Sequence, residues 1–159
     1  MNTAIIFTTK HGTTAKVAAL IAEKLKDTDT KLFNLKEVKK IDIGNFECII
    51  LGTSMYAGNA SKKLQTFIHK NQDALLNKKL GLFVCGMEQN LNNQQNELKK
   101  SFPQWLHQKA VAEQFCGGEF LFERMNFIER MIIKRIAKTN KSLSNILTEN
   151  IDLLVTAMK

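Results

Sequence analysis

The feature that most limits what this chain can become is an alternation of short apolar runs with segments of helical length. "TAIIFTT" (3–9), "TKLFNL" (30–35), "ECIILGTS" (47–54), "LGLFVCG" (80–86) and "VAEQFCGGEF" (111–120) read as strands. Between them, 13–26 sets Val17, Ala18, Ile21 and Leu25 on one helical face, and 60–76 aligns Leu64, Phe67, Ile68 and Leu75 opposite lysines. Residues 92–109 read as a helix interrupted near Pro103. Two further helices, about 121–138 and 142–158, close the sequence. Strands separated by helix-length crossovers pair in parallel, wound right-handed, with helices on both faces. The expectation is therefore an α/β fold: a doubly wound five-stranded parallel sheet in the order 2-1-3-4-5. One domain spans 1–159, with an extra helical segment at about 121–138 before the last helix.

Such sheets bind ligands beyond the carboxyl ends of their strands, where the strand order reverses, here between strands one and three. Three loops meet that description: 8–14, 52–60 and 86–92. The first, "TTKHGTT", joins a strand to a helix, where free N–H groups and the positive helix end attract anions. Gly12 lets the backbone approach a ligand, and Thr9, Thr13 and Thr14 offer hydroxyls, although Thr13 alone would serve any helix as an N-cap. Four threonines and a glycine at a switch point exceed what capping needs, so the loop reads as a phosphate cradle. A Walker lysine loop and a dinucleotide G-x-G-x-x-G loop are both absent, and no acidic residues follow strand one to hold magnesium. His11 has no partner at ligand spacing, so no metal is expected.

"T-K-H-G-T-T" (9–14) resembles the flavodoxin phosphate loop T-x-T-G-x-T, with Thr9, Gly12 and Thr14 matching and His11 departing. "GTSMYAG" (52–58) resembles the loop after strand three in the same fold. It is closer still to the G-x-S-x-x-x-G segment of menaquinone-dependent protoporphyrinogen oxidases, a flavodoxin-like family. "CGMEQN" (85–90) resembles the loop after strand four, without the aromatic that many flavodoxins carry there. The resemblance implies non-covalent FMN. Its phosphate would lie on Thr9, Lys10, His11, Gly12, Thr13 and Thr14, with His11 giving its backbone N–H. The ring would lie between Ser54, Met55, Tyr56, Ala57 and Gly58 on one side and Gly86, Met87, Glu88 and Gln89 on the other. Tyr56 can stack on an isoalloxazine, or serve as an ordinary half-buried aromatic. Hydrogen bonds near the ring's N1 and N5 tune its potential.

Twenty-three Lys plus Arg against fifteen Asp plus Glu leave a net charge of +8, which favours anionic partners. Flavodoxin shuttles are strongly acidic, so the sign disfavours a generic carrier. "GGEFLFERMNFIERMIIKRIAK" (117–138) resembles the helical segment of the protoporphyrinogen oxidases. Its wheel places Leu121, Met125, Ile128, Ile132 and Ile136 toward the core. Arg124, Arg130, Lys134, Arg135 and Lys138 lie away from it, with Phe127 and Met131 among them. That composition suits contact with an anionic membrane, where a quinone acceptor would be met; packing on helix 142–158 or on a second subunit is the alternative.

The function implied is FMN-dependent oxidation of protoporphyrinogen with a quinone acceptor, in heme biosynthesis. The runner-up is a non-enzymatic electron carrier docking on a redox protein. No catalytic side chain is assigned, His69 and His107 look exposed, and no nucleic-acid module is present. Cys48, Cys85 and Cys116 fit no zinc or disulfide spacing and read as buried thiols. Only four consecutive apolar residues, Ala4 to Phe7, stand near the N-terminus, and no run nears the ~20 residues of a membrane span. The expected location is cytoplasmic, with peripheral contact at the inner face of the cell membrane.

Overall fold

The computed structural model describes residues 1–55, 59–120, 123, 125–137 and 143–159; the side chains of 120, 132, 133, 136 and 137 are outside that description. Strands β1 (Asn2–Phe7), β2 (Asp29–Asn34), β3 (Cys48–Ser54), β4 (Lys79–Cys85) and β5 (Ala112–Phe115) form one sheet. Its order is β2-β1-β3-β4-β5, every pairing is parallel, and this is the 2-1-3-4-5 order expected.

The period of two explains why the central strands are apolar throughout. Ala4, Ile6, Ile49, Leu51, Leu80, Leu82 and Val84 face one core. Over them pack α2 (Lys62–Lys70), α3 (Gln72–Leu76), α4 (Leu91–Ser101) and α5 (Gln104–Lys109), through Leu64, Ile68, Leu75, Leu98 and Leu106. Ile5, Phe7, Cys48, Ile50, Phe83 and Cys85 face the other core. There α1 (Thr13–Lys24) brings Val17, Ala18 and Ile21, and α7 (Thr148–Met158) brings Ile151, Leu154, Val155 and Met158.

Three boundaries differ from the sequence reading. The helix expected over 60–76 is two helices, because the chain leaves helical geometry at Asn71 (φ −113°, ψ 16°). The strand expected over 111–120 stops at Phe115. Gly117 then turns the backbone to φ 74°, and β6 (Gly117–Phe120) pairs antiparallel with β7 (Leu143–Ile146) in a separate two-stranded ribbon. The last helix therefore starts at Thr148 rather than 142.

The helix expected over 121–138 is α6 (Phe127–Ala137), lying between β6 and β7. Its expected core stripe is corrected at Ile128, which is 68% exposed, while Met125 is buried. Leu121, Arg124 and Lys138 lie outside the described residues, as do the side chains of Ile132 and Ile136. Among the described residues no helix is long and apolar enough to cross a membrane.

Candidate functional site

The loop leaving β1 enters α1 through Gly12, which stands at the N-cap with φ 96° and donates its N–H to Thr9 Oγ1 at 3.0 Å. A side chain with a Cβ is strained in that left-handed conformation. Gly12 takes the capping position in place of a threonine, so α1 has no side-chain cap, and its first turn holds no acidic residue. The N–H groups and positive dipole end of α1 are thus left for an anion from outside. Thr13 and Thr14 are buried in that first turn. Thr14 Oγ1 has no hydrogen-bond partner among the described residues. It lies against the Cys85 thiol, whose pKa it lowers against the larger, opposite effect of burial. An uncapped helix start, a left-handed glycine and a buried threonine hydroxyl in the first turn together fit a phosphate group.

Beside this loop is a cavity of about 320 Å³ lined by Thr8, Thr9, Lys10, Lys36, Ser54, Asn59, Ala60 and Ser61. Its hydroxyls, amide and two ammonium groups suit an anionic, polyhydroxylated ligand. Loop one meets loop two where Thr8 Oγ1 and Thr53 Oγ1 lie 3.4 Å apart and Thr8 N donates to Gly52 O at 3.1 Å, while Ser61 N donates to Thr53 Oγ1 at 3.3 Å. Thr8, Asn59 and Ala60 fall inside the loops 8–14 and 52–60 singled out from the sequence, though without an assigned role, while Lys36 and Ser61 lie outside them. Lys36 follows β2, the edge strand beside β1, and its position two residues past a strand's carboxyl end was the available signal.

The other expected site residues are distributed differently. Met55 donates its N–H to Cys85 O at 2.8 Å, and its side chain packs on the core beside Ser101 Oγ, 3.2 Å from its sulfur. Tyr56, Ala57 and Gly58 lie outside the described residues. Gly86, Met87, Glu88 and Gln89 do not line the cavity. Gly86 N donates to Gly117 O at 3.0 Å. Glu88 organises the start of α4, accepting from Asn90 N at 2.8 Å through its carboxylate and from Gln94 Nε2 at 2.8 Å through its carbonyl.

Lys10 and His11 of the loop, and Lys16 of α1, have partners from the segment after β5. His11 Nε2 lies 2.6 Å from Glu129 Oε2, and Lys10 Nζ lies 3.9 Å from Glu129 Oε1. Lys16 Nζ donates to Glu119 Oε1 at 2.7 Å. His107 is not the exposed residue expected: its Nδ1 is 2.6 Å from Glu113 Oε2, and its Nε2 is within 3.2 Å of two carbonyl oxygens. Cys48, Cys85 and Cys116 are buried and free, and burial is the main cause of the raised pKa of each, about 12 for Cys116. Such thiols are inert. Among the described residues no group of three His, Cys, Asp or Glu side chains is placed to hold a metal.

The sheet order, the crossover helices and a phosphate-type cradle at the β1/β3 switch define the class: a flavodoxin-like, FMN-binding fold. The model of the flavodoxin domain matches residues 4–145, and the chain belongs to that family. Among curated relatives, it is 22% identical over 147 residues to the protoporphyrinogen IX dehydrogenase [quinone] of Escherichia coli, covering 87% of this chain and 80% of that one. It is 34% identical over 84 residues to a flavodoxin of Clostridium saccharobutylicum, covering 51% of this chain and 52% of that one. Among solved structures, a flavoprotein from Lactobacillus acidophilus in complex with FMN superposes with a TM-score of 0.53. It is 15% identical and covers 74% of this chain and 92% of that one.

Proposed function

We propose that the protein is an FMN-dependent oxidoreductase. The observation that carries this is the uncapped, acid-free start of α1 opening through left-handed Gly12 beside a polar cavity at the switch point. Thr9, Lys10, His11, Gly12, Thr13 and Thr14 would hold the phosphate, and the hydroxyls of Thr8, Ser54 and Ser61 suit the sugar chain. The ring would take its contacts from 54–58 and from 86–89, as the resemblance implies. Bound FMN supplies reversible acceptance of a hydride or of single electrons. The chain's own task is to bind it, orient it and leave one ring face open to a donor and an acceptor.

The finer reading is a porphyrinogen donor and a quinone acceptor. Similarity to the quinone-linked protoporphyrinogen IX dehydrogenase across 87% of the chain supports it. The net charge of +8 supports it as well, since it suits an acidic substrate and an anionic lipid surface. On α6, Phe127, Ile128 and Met131 are exposed beside Arg130, Lys134 and Arg135, the composition of a helix that rests on anionic lipid, where a quinone dissolves.

Titration of FMN against the purified protein at low salt tests the first step. Flavin fluorescence should be quenched with a Kd well below millimolar, and absence of quenching overturns the cofactor assignment. Turnover of protoporphyrinogen with a menaquinone analogue tests the second. A flavin-loaded protein that reduces or oxidises only partner proteins would be a carrier instead.

A further inference from the structure

Two acidic side chains from the segment after β5 reach back to the basic side chains around the start of α1. Glu119 of β6, nearly buried, binds Lys16 Nζ at 2.7 Å and also accepts from Ser144 Oγ of β7 at 2.9 Å. Glu129 of α6 spans His11 and Lys10, with its side chain and that of His11 largely shielded from solvent. Glu129 is also part of a reciprocal cap: Asn126 Nδ2 donates to Glu129 Oε1 at 3.0 Å, and Glu129 N donates to Asn126 Oδ1 at 2.8 Å. One carboxylate oxygen therefore fixes the start of α6, while the other faces His11. The loop that is built for an anion is already in contact with one, and it belongs to the protein.

We propose that Glu129 competes internally with the phosphate group for the loop, so that an anion arriving at α1 displaces it from His11 and Lys10 and loosens α6. This rests on the FMN reading above. A phosphate dianion brings more charge than a carboxylate and gains the N–H groups of α1, which Glu129 does not use. With both present, two anions would share one small cationic cluster, and like charges at that distance repel. Occupancy of the phosphate site is thereby coupled to the position of the helix that carries Phe127, Ile128 and Met131. Glu129 sets how strongly the protein distinguishes a phosphorylated flavin from an unphosphorylated one.

Glu129→Gln is the informative change, because it keeps an oxygen for Asn126 and removes the charge. The variant should bind FMN about three- to tenfold more tightly, the scale of one partly shielded ion pair, and riboflavin with unchanged affinity. In the His11→Ala background the gain should shrink, since the contested imidazole is gone. Hydrogen exchange of amides 127–137 gives a readout independent of turnover. Exchange should quicken in the wild-type protein on adding FMN but not riboflavin, and should already be fast in Glu129→Gln. Equal FMN affinities, or exchange at 127–137 that is unchanged by the phosphate-bearing ligand, would overturn the proposal. If the wild-type protein binds no FMN, the cofactor reading fails by itself. Inorganic phosphate then takes the ligand's place in the same exchange experiment, and its failure to quicken 127–137 would reject the competition as well.

Discussion

β1, β3 and β4 are covered on both faces, and Ile5, Ile50 and Phe83 are fully buried. α6 and the β6–β7 ribbon instead show Phe127, Ile128, Met131 and Leu143 to solvent. The first region is held by packing, where each side chain touches many others and a lost contact has no substitute. Among the described residues the second is held by the pairs of Glu129 with His11 and Lys10 and of Glu119 with Lys16, a helix cap, and the hydrogen bonds from Gly86 N to Gly117 O and from Leu147 N to Cys116 O. A region of the first kind fixes geometry; one of the second kind can move without unfolding the rest.

Phe83→Ala breaks the comparison where it should be hardest to break. Phe83 is 0% exposed and lies in the core shared by the sheet, α1 and α7. Its loss should cost about 3–5 kcal/mol, read as a drop in the urea midpoint at unchanged m-value. A cost below about 1 kcal/mol would mean that the sheet is no better packed than the segment after it.

Gly117→Ala tests the seam between the two regions. Gly117 has φ 74°, and a Cβ there would stand 1.9 Å from the carbonyl oxygen of Asn145. Backbone cannot yield as a side-chain tip does, so the β6–β7 ribbon must open, at about 1–3 kcal/mol. Exchange should quicken in 117–120 and 143–146 while β1, β3 and β4 stay protected. Equal loss of protection in the sheet would show that the two regions unfold as one.

The same division explains what could be read from the residues alone. The strand order followed from five apolar runs and their spacing, because burial on both faces writes itself into consecutive positions such as Ile49, Ile50 and Leu51. The switch-point rule then singled out the first loop and Gly12 as candidates without any contact being known. The ribbon left no such record: "LSNI" (143–146) has no alternation, and β7 pairs with β6 through backbone atoms that any sequence supplies. Nor could Glu129 be matched to His11, since their 2.6 Å contact joins opposite ends of the chain. Lys36 is legible only from β2, the edge strand beside those that form the switch point, two residues past its carboxyl end. Ile128 was misplaced because a wheel assumes a helix that starts where the apolar pattern does, and α6 starts at Phe127.

Glu97 marks a smaller strain near the same seam. Its Oε2 is buried without a hydrogen-bond partner among the described residues, next to Gly86. Desolvation chiefly, and then the charge of Glu88, raise its pKa above the ordinary carboxylate range, against the opposing pull of Lys100. A carboxyl whose folded pKa is raised favours the folded state most when protonated, so this contribution is lost as pH rises through the folded value. Glu97→Gln should therefore stabilise the protein at neutral pH, by under about 1 kcal/mol once solvent screening is counted. The gain should vanish as pH falls to the ordinary carboxylate range. A gain that persists in acid would point to packing instead of charge.

The smallest effect on stability is expected at the exposed apolar side chains of α6. Phe127 is 76% exposed and Met131 49%, so replacing both with serine should change the unfolding free energy by no more than about 0.5 kcal/mol. Removing apolar area that water already wets alters folding little, but it removes what an acyl-chain boundary would gain. Wild-type protein is expected to sediment with vesicles containing phosphatidylglycerol and to stay in solution with phosphatidylcholine alone. The double variant should lose most of that binding while its melting curve is unchanged. Sedimentation that survives the double change would leave Arg130, Lys134 and Arg135 acting as point charges at the surface. α6 would then be a polyelectrolyte contact that salt dissolves, and the exposure of Phe127 and Met131 would have to be explained by a protein partner.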